Sequence, residues 1–311
     1  MLRGQTRPSD QFLVWSDGPR LTSIFYLYEN KPVVTNRIAF LNGQFIKEEN
    51  ACLHISDLAI QRGYGIFDFC RTNNHIPVHI DDHIDRFFQS ADLMHLQLPI
   101  SKEEISSVIH QLISKNAIPH SGIRMLLTGG YSPDSYEVIK PNLIILQHPL
   151  HLRTVGVFEK GIKVITYEYV REFPAAKTIN YSMGIWLQQK IKENNAADVL
   201  YHQQGEVSEF PRSNFFIVTR NDVVVTPGKN ILHGITRKKI IELASKDFAV
   251  EEKTVTLHDI RTAKEAFLTS TTKRILPIVQ VDNVIIGNGQ PGAIAGFLDH
   301  ALEKEESVLL Q

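Results

Sequence analysis

The sequence predicts an α+β protein of two domains with a cleft between them. Three observations carry that expectation. From Ile38 onward, short runs rich in β-branched and aromatic residues alternate with longer amphipathic segments. The alternation falls into two blocks, a small one over residues 37–150 and a large one over 161–311, joined by a short linker at 151–160. The chain, 311 residues with 43% hydrophobic content, is also long enough to build two cores. So short a linker implies closely packed domains, and the crevice between packed domains is where small-molecule sites concentrate.

Residues 1–36 show no sustained period of 2 or 3.6 and read as a flexible N-terminal extension. Their apolar residues are interrupted by Ser, Asp, Gly, Pro and Arg, unlike a secretory signal. "IAFLNGQFI" then predicts a hairpin turning at Asn42-Gly43. "HIDDHIDRFFQSADLMHL" predicts a helix with Ile84, Phe87, Phe88, Ala91 and Met94 on one stripe. "SKEEISSVIHQLISKN" predicts another, opened by a Ser101–Glu104 capping box. "GIRMLLTGG" and "PNLIILQHPL" read as strands.

In the second block "GIKVITYEYV" reads as a strand and "GIWLQQKIKENN" as one helix. "DVLYHQQGEVSE" and "SNFFIVTRNDVVVTP" read as strands turning at Gln204-Gly205 and Asn221-Asp222. "GITRKKIIELASKDF" predicts a helix, "EAFLTSTTKRILPIVQVDNVII" strands, and "PGAIAGFLDHALEKEESVL" a last amphipathic helix.

Charge excludes some functions. Thirty-three Lys and Arg against 34 Asp and Glu give a net charge of −1, without the basic excess that nucleic-acid backbones require. No apolar run reaches the roughly 18 residues of a membrane span. Cys52 and Cys70 are too few for a disulfide framework and lack metal-site spacing, so both read as small buried hydrophobes of a cytoplasmic protein.

The candidate chemistry lies in five places. In "AAKTINYSMG", Lys177 stands among neutral residues; alone, it reads as a surface lysine. In "ILHGITRKK", Gly234, Ile235 and Thr236 mark a loop-to-helix junction, whose free N–H groups suit an anion, although a plain N-cap at Thr236 would account for the same residues. "TSTT", with Ser270, Thr271 and Thr272, is a second donor-rich turn or an ordinary Ser/Thr turn. Arg86 could complete a phosphate clamp or simply pair with Asp82. Glu209, in "GEVSEFPRSNFF", is a loop carboxylate that could keep a heteroaromatic nitrogen protonated.

In this order and separation, "KTINY", "E-x-x-x-x-N-F-F-I-V", "GITR" and "FLTSTT", together with "RGYGIFDFCR" and "HIDRFFQSA", resemble the class IV (fold type IV) pyridoxal-phosphate enzymes over about residues 38–300. These are branched-chain aminotransferases, D-amino-acid aminotransferases and aminodeoxychorismate lyases. The resemblance implies a homodimer with pyridoxal 5'-phosphate between two domains, and Lys177 as the residue linked to its aldehyde. Only a neutral amine attacks an aldehyde, so such a lysine needs its pKa lowered, and a neighbourhood free of carboxylates suits it. The resemblance further implies that Glu209 pairs with the ring nitrogen, Tyr181 with the ring hydroxyl, and Leu232 packs on the ring face. Arg86, Gly234, Ile235, Thr236, Ser270 and Thr271 would hold the phosphate, and Asn214 would brace the Glu209 loop.

The reaction implied is transfer of an amino group from an amino acid to a 2-oxo acid, such as 2-oxoglutarate or pyruvate, by a ping-pong mechanism. Members acting on L-amino acids seat the α-carboxylate against the turn that is here Thr271-Thr272; D-specific members use cations on the opposite wall. Arg62 and Arg124 suit that wall, with Arg62 reaching the neighbouring subunit, although Arg124 could instead bind the side-chain carboxylate of L-glutamate and Arg62 merely bridge the dimer; Phe67 lines the pocket. The sequence therefore looks most like a non-standard D-amino-acid aminotransferase. A branched-chain L-aminotransferase is the second expectation, and aminodeoxychorismate lyase the third.

Overall fold

A computed structural model describes residues 36–150 and 156–308. The expected extension, save its last residue, and the first half of the 151–160 linker lie outside the described residues; the linker's second half is a short helix, Val157–Lys160.

The first sheet is built from Ile38–Leu41 (β1), Gln44–Lys47 (β2), Gly65–Asn73 (β3), Ile76–Pro77 (β4), Ser121–Thr128 (β5) and Leu143–Pro149 (β6). Its order is β2-β1-β6-β5-β3-β4, antiparallel throughout. The β1–β2 turn falls at Asn42 and Gly43, both at positive φ, as a two-residue hairpin requires. Three helices accompany this sheet: Leu58–Arg62 (α1), Ile80–Leu93 (α2) and Lys102–Asn116 (α3). Ile84, Phe87 and Ala91 of α2 bury against Cys70, Ile123 and Met125 of the sheet. The α3 capping box forms as expected, Ser101 Oγ accepting from Glu104 N and Glu104 from Ser101 N.

The second sheet holds Ile162–Glu168 (β7), Asp198–Gln203 (β8), Glu206–Val207 (β9), Glu209–Phe210 (β10), Ser213–Val218 (β11), Val224–Thr226 (β12), Val250–Glu252 (β13), Val255–Thr256 (β14), Glu265–Ser270 (β15), Arg274–Val281 (β16) and Val284–Ile285 (β17). Its main path is β13-β12-β11-β15-β16-β7-β8-β9-β14, with β10 paired to β11 and β17 to β16. The helices of this half are Val157–Lys160 (α4), Ser182–Trp186 (α5), Gln188–Glu193 (α6), Ile235–Ala244 (α7), Leu257–Thr262 (α8) and Ala293–Val308 (α9).

Three expectations are corrected. "GIWLQQKIKENN" is two helices rather than one: Leu187, fully buried, has ψ −6, which breaks the axis between α5 and α6. Cys70 is buried as expected, but Cys52 is exposed, in a loop that none of the described residues covers. Thr236 is not the N-cap of α7; Gly234 takes that place, and Thr236 lies inside the first turn.

Asp57 shows how the loops next to the site are fixed. Its buried carboxylate accepts from Ala59 N, Thr128 Oγ1 and Asn142 Nδ2, each at 2.7 Å, tying the start of α1 to the ends of β5 and β6. Asp57→Ala strands three donors and removes a cap. The expected loss is about 3 kcal/mol of unfolding free energy by urea titration, and a loss below about 1 kcal/mol would refute the assignment.

Candidate active site

The lysine segment is held by the first sheet. Beyond the short β4, the Gly65–Phe67 end of β3 has an open edge, and residues 177–179 pair with it. Phe67 N donates to Lys177 O at 2.9 Å and Ile179 N to Gly65 O at 3.0 Å. Lys177 N donates to Ser90 Oγ of α2 at 3.1 Å. Gly65 permits the close approach, since a Cβ there would stand 2.8 Å from Leu127 O and 3.2 Å from the Ile179 side chain.

Lys177 then enters a cavity of about 470 Å³ between strands of the two sheets. Its Nζ is 4.5 Å from the Phe67 ring centroid. Burial first, then Arg86 and Arg171, bring the Lys177 pKa from 10.5 down to about 7, while Asp68 and Glu209 oppose them. The expected carboxylate-free neighbourhood is thus corrected: neutral in sequence, it contains two carboxylates in space, brought by β3 and β10.

Arg86 does not pair with Asp82, which binds Lys238 instead at 2.6 Å. The partner of Arg86 is Asp68 of β3, buried and facing inward, reached by Nε at 2.7 Å and Nη2 at 2.8 Å. His83 Nδ1 also lies 2.7 Å from Asp68 Oδ1. Although burial alone would raise it, Arg86 and the His83 hydrogen bond hold the Asp68 carboxyl far below its usual range. Burial lowers the His83 pKa, so the imidazole is the neutral donor. This bracing leaves Arg86 Nη1 directed to His233 O, at 3.4 Å, beside the start of α7.

There the cavity meets a helix N-terminus. Gly234 offers no side-chain cap, so the first N–H groups of α7, at Ile235 and Thr236, point onward from the helix. Asn214 supports this turn, donating from Nδ2 to Leu232 O at 2.7 Å and, more weakly, to Glu209 Oε2 at 3.5 Å. A Cβ on Gly234 would collide with Asn214 Oδ1 at 2.1 Å. Ser270, Thr271 and Thr272, in the β15–β16 turn, complete this wall.

Glu209 is buried. Its Oε1 accepts from Arg171 Nε, and its Oε2 from Leu232 N at 3.0 Å. Burial raises its pKa, opposed by Arg171 and the Leu232 N–H. Tyr181 meets Phe67 edge-on at 5.6 Å, and burial raises its phenol pKa. Of the two wall arginines, Arg124 lines the cavity, with its Cζ 5.9 Å from the Phe67 centroid, whereas Arg62 is exposed and outside it. Sequence reading missed Arg171, Arg212, Asp68 and His83. A carboxylate facing "HIDR" across a sheet leaves no linear spacing to detect.

The cavity is cationic: four arginines and Lys177 face one lining carboxylate. Such a wall takes an anion. Among the described residues, Ser213 Oγ and Thr269 Oγ1, buried on its wall, have no hydrogen-bond partner, so donors remain for a polar ligand. With a phosphate-ready helix end, a neutral amine and an acceptor carboxylate, this donor set fits a phosphorylated heteroaromatic aldehyde.

Lys177 links stability to pH. Between pH 7 and 10.5 the unfolded chain holds the lysine proton and the folded chain does not, so its contribution to stability rises with pH across that window. Lys177→Met apoprotein is expected to exceed wild type in stability at pH 7, by at most about 5 kcal/mol, with the difference vanishing by about pH 10.5. Parallel stability curves in that window would contradict the low pKa.

The model of the amino-transferase class IV family matches residues 65–281. The chain is 33% identical over 270 residues to a Methanocaldococcus jannaschii protein named "Putative branched-chain-amino-acid aminotransferase", covering 82% of this chain and 91% of that one. It is 31% identical to the D-alanine aminotransferase of Listeria monocytogenes (85% and 94% covered). The fold is similar to that of the branched-chain amino acid aminotransferase of Escherichia coli, with TM-score 0.81 at 23% identity, covering 88% of this chain and 95% of that one. It is equally similar to a T.th. branched-chain amino acid aminotransferase solved with pyridoxamine 5'-phosphate, with TM-score 0.81 at 23% identity and the same coverage. The chain belongs to the class IV aminotransferases.

Proposed function

We propose that this aminotransferase uses pyridoxal 5'-phosphate to move the amino group of a D-amino acid to a 2-oxo acid such as 2-oxoglutarate or pyruvate. The observation that carries the D-preference is Arg124. It lines the cavity beside Phe67, and among the described residues it has no carboxylate partner. Relatives named D-alanine aminotransferases support the same reading.

When bound, the cofactor supplies an electrophilic aldehyde and a ring that accepts the electron pair released at the substrate Cα. The chain's residues do the rest. Arg86, the α7 N–H groups of Ile235 and Thr236, the Thr236 hydroxyl, Ser270 and Thr271 bind the phosphate. Glu209 would pair with the ring nitrogen, Tyr181 would bond the ring hydroxyl, and Leu232 would cover one face. Lys177, about half neutral at pH 7 when its pKa is about 7, would take the proton from the substrate Cα and carry it on Nζ. Arg124 holds the α-carboxylate so that the Cα proton faces Lys177. Donor and acceptor occupy the cavity in turn, which makes the kinetics ping-pong. The reading includes a cytoplasmic homodimer in which Arg62 serves the cavity of the other subunit.

The test is the half-reaction of holoenzyme with D-alanine, D-glutamate, L-leucine and L-glutamate, followed by the change in cofactor absorbance. D-substrates alone are expected to react. Arg124→Gln should lower their second-order rate about 10- to 100-fold, the worth of one charged hydrogen-bonding contact. Reaction with L-leucine and L-glutamate alone would move the α-carboxylate to the Thr271-Thr272 wall and make the enzyme a branched-chain aminotransferase.

A further inference from the structure

We propose that Arg171 is a positioning residue: with one guanidinium it holds the Glu209 carboxylate and the backbone leading into Lys177, and so sets the charge state of both. The inference rests on the roles given above to Lys177 and Glu209.

The geometry is a fork closed on two sides. Arg171 Nε and Nη2 both reach Glu209 Oε1 at 2.8 Å. Two further contacts go to backbone carbonyls, Nη1 to Ala176 O at 3.0 Å and Nη2 to Pro174 O. Ala176 precedes Lys177, so the same group ties β10 to the segment that ends in the lysine. A lysine at this position could not make these four contacts, because an ammonium is a point charge without a planar fork.

The pattern of bonds also says where a ligand proton goes. A carboxylate offers about four acceptor directions. Arg171 Nε hydrogen-bonds Oε1, with Nη2 in ion-pair contact at 2.8 Å, and Leu232 N takes one direction on Oε2. The remaining direction on Oε2 meets only Asn214 Nδ2 at 3.5 Å, an amide whose short bond is to Leu232 O. Glu209 therefore presents one weakly held lone pair to the cavity. Arg171 and the Leu232 N–H favour the ionised carboxylate against burial, which raises the Glu209 pKa.

Other charged and titratable groups face the same space: Asp68 and Arg86 from β3 and α2, Arg212 from the turn after β10, and the phenols of Tyr181 and Tyr201. Asp68 stays ionised, His83 behind it stays neutral, and burial raises both phenols, so Lys177 is the group among them that titrates near neutrality. Arg171 is one of the two cations that keep it there.

The test reads Lys177 without cofactor or turnover. Wild-type, Arg171→Met and Arg171→Lys apoproteins are labelled with trinitrobenzenesulfonate from about pH 6 to about pH 10, and the Lys177 peptide is quantified by mass spectrometry. Losing the Arg171 charge should shift the Lys177 midpoint upward by about one unit, with about tenfold slower labelling at pH 7. Arg171→Lys keeps the charge and should stay near the wild-type midpoint, while binding pyridoxal phosphate at least tenfold more weakly for want of the fork. A folded Arg171→Met protein with an unchanged midpoint overturns the proposal. So do two variants that shift alike, since that is what a merely structural role predicts. If Arg171→Met does not fold, Arg171→Gln takes its place in the comparison. Wild type that labels near pH 7 but binds no pyridoxal phosphate would sink the cofactor reading instead, through a different measurement.

Discussion

The site depends on a pairing of three residues. Residues 177–179 complete an open stretch of β3, Phe67 N donating to Lys177 O and Ile179 N to Gly65 O. An unpaired strand edge is a liability that folds cover with whatever chain lies nearest. Here the covering segment carries the cavity lysine, so satisfying the β3 backbone also fixes the Lys177 backbone. The side chain then extends toward residues of the second sheet, Glu209 on β10 and Thr269 on β15. The site is therefore precise only while both sheets keep their places. The Arg71–Glu306 pair between β3 and α9 and the Lys238–Asp82 pair between α7 and α2 help to hold them. Both join elements far apart in sequence, and the first is nearly buried, where loss of one partner is costly.

What the sequence revealed follows the range of each interaction. The β1–β2 turn, the α3 capping box and the stripe of α2 depend on neighbours within a few residues, and all were legible. Motif order located Lys177, Glu209, Gly234 and the "TSTT" turn, and the structure brings them to one cavity. The strand β3 was harder. Its residues Ile66–Cys70 alternate in burial, but α2 covers the face of Ile66, Asp68 and Cys70 while Phe67 and Phe69 line the cavity on the other, so apolar residues fall on both faces and period-2 reading has nothing to find. With β3 unread, Asp68 could not be placed opposite Arg86, and the nearer Asp82 looked like the partner. Arg171 was hidden for a related reason. It lies six residues before Lys177 in an irregular segment, and only the return of β10 gives it Glu209.

The charges explain how a lysine can lose its proton near neutral pH with two carboxylates nearby. Either anion, left free, would favour the ammonium form and raise the pKa. Neither is free. Asp68 is bound by Arg86 and His83, and Glu209 by Arg171 and the Leu232 N–H. Each carboxylate reaches Lys177 already paired with a guanidinium, so much of its field at Nζ is cancelled and burial decides the outcome. The guanidiniums could not be replaced by neutral donors with the same result, because a hydrogen bond satisfies a carboxylate without cancelling its charge. Arg124 and Arg212 have no such partner among the described residues. Their charge is left uncancelled in the cavity, so the division between paired and unpaired arginines separates the cations that offset the carboxylates near Lys177 from those that make the cavity attractive to an anion.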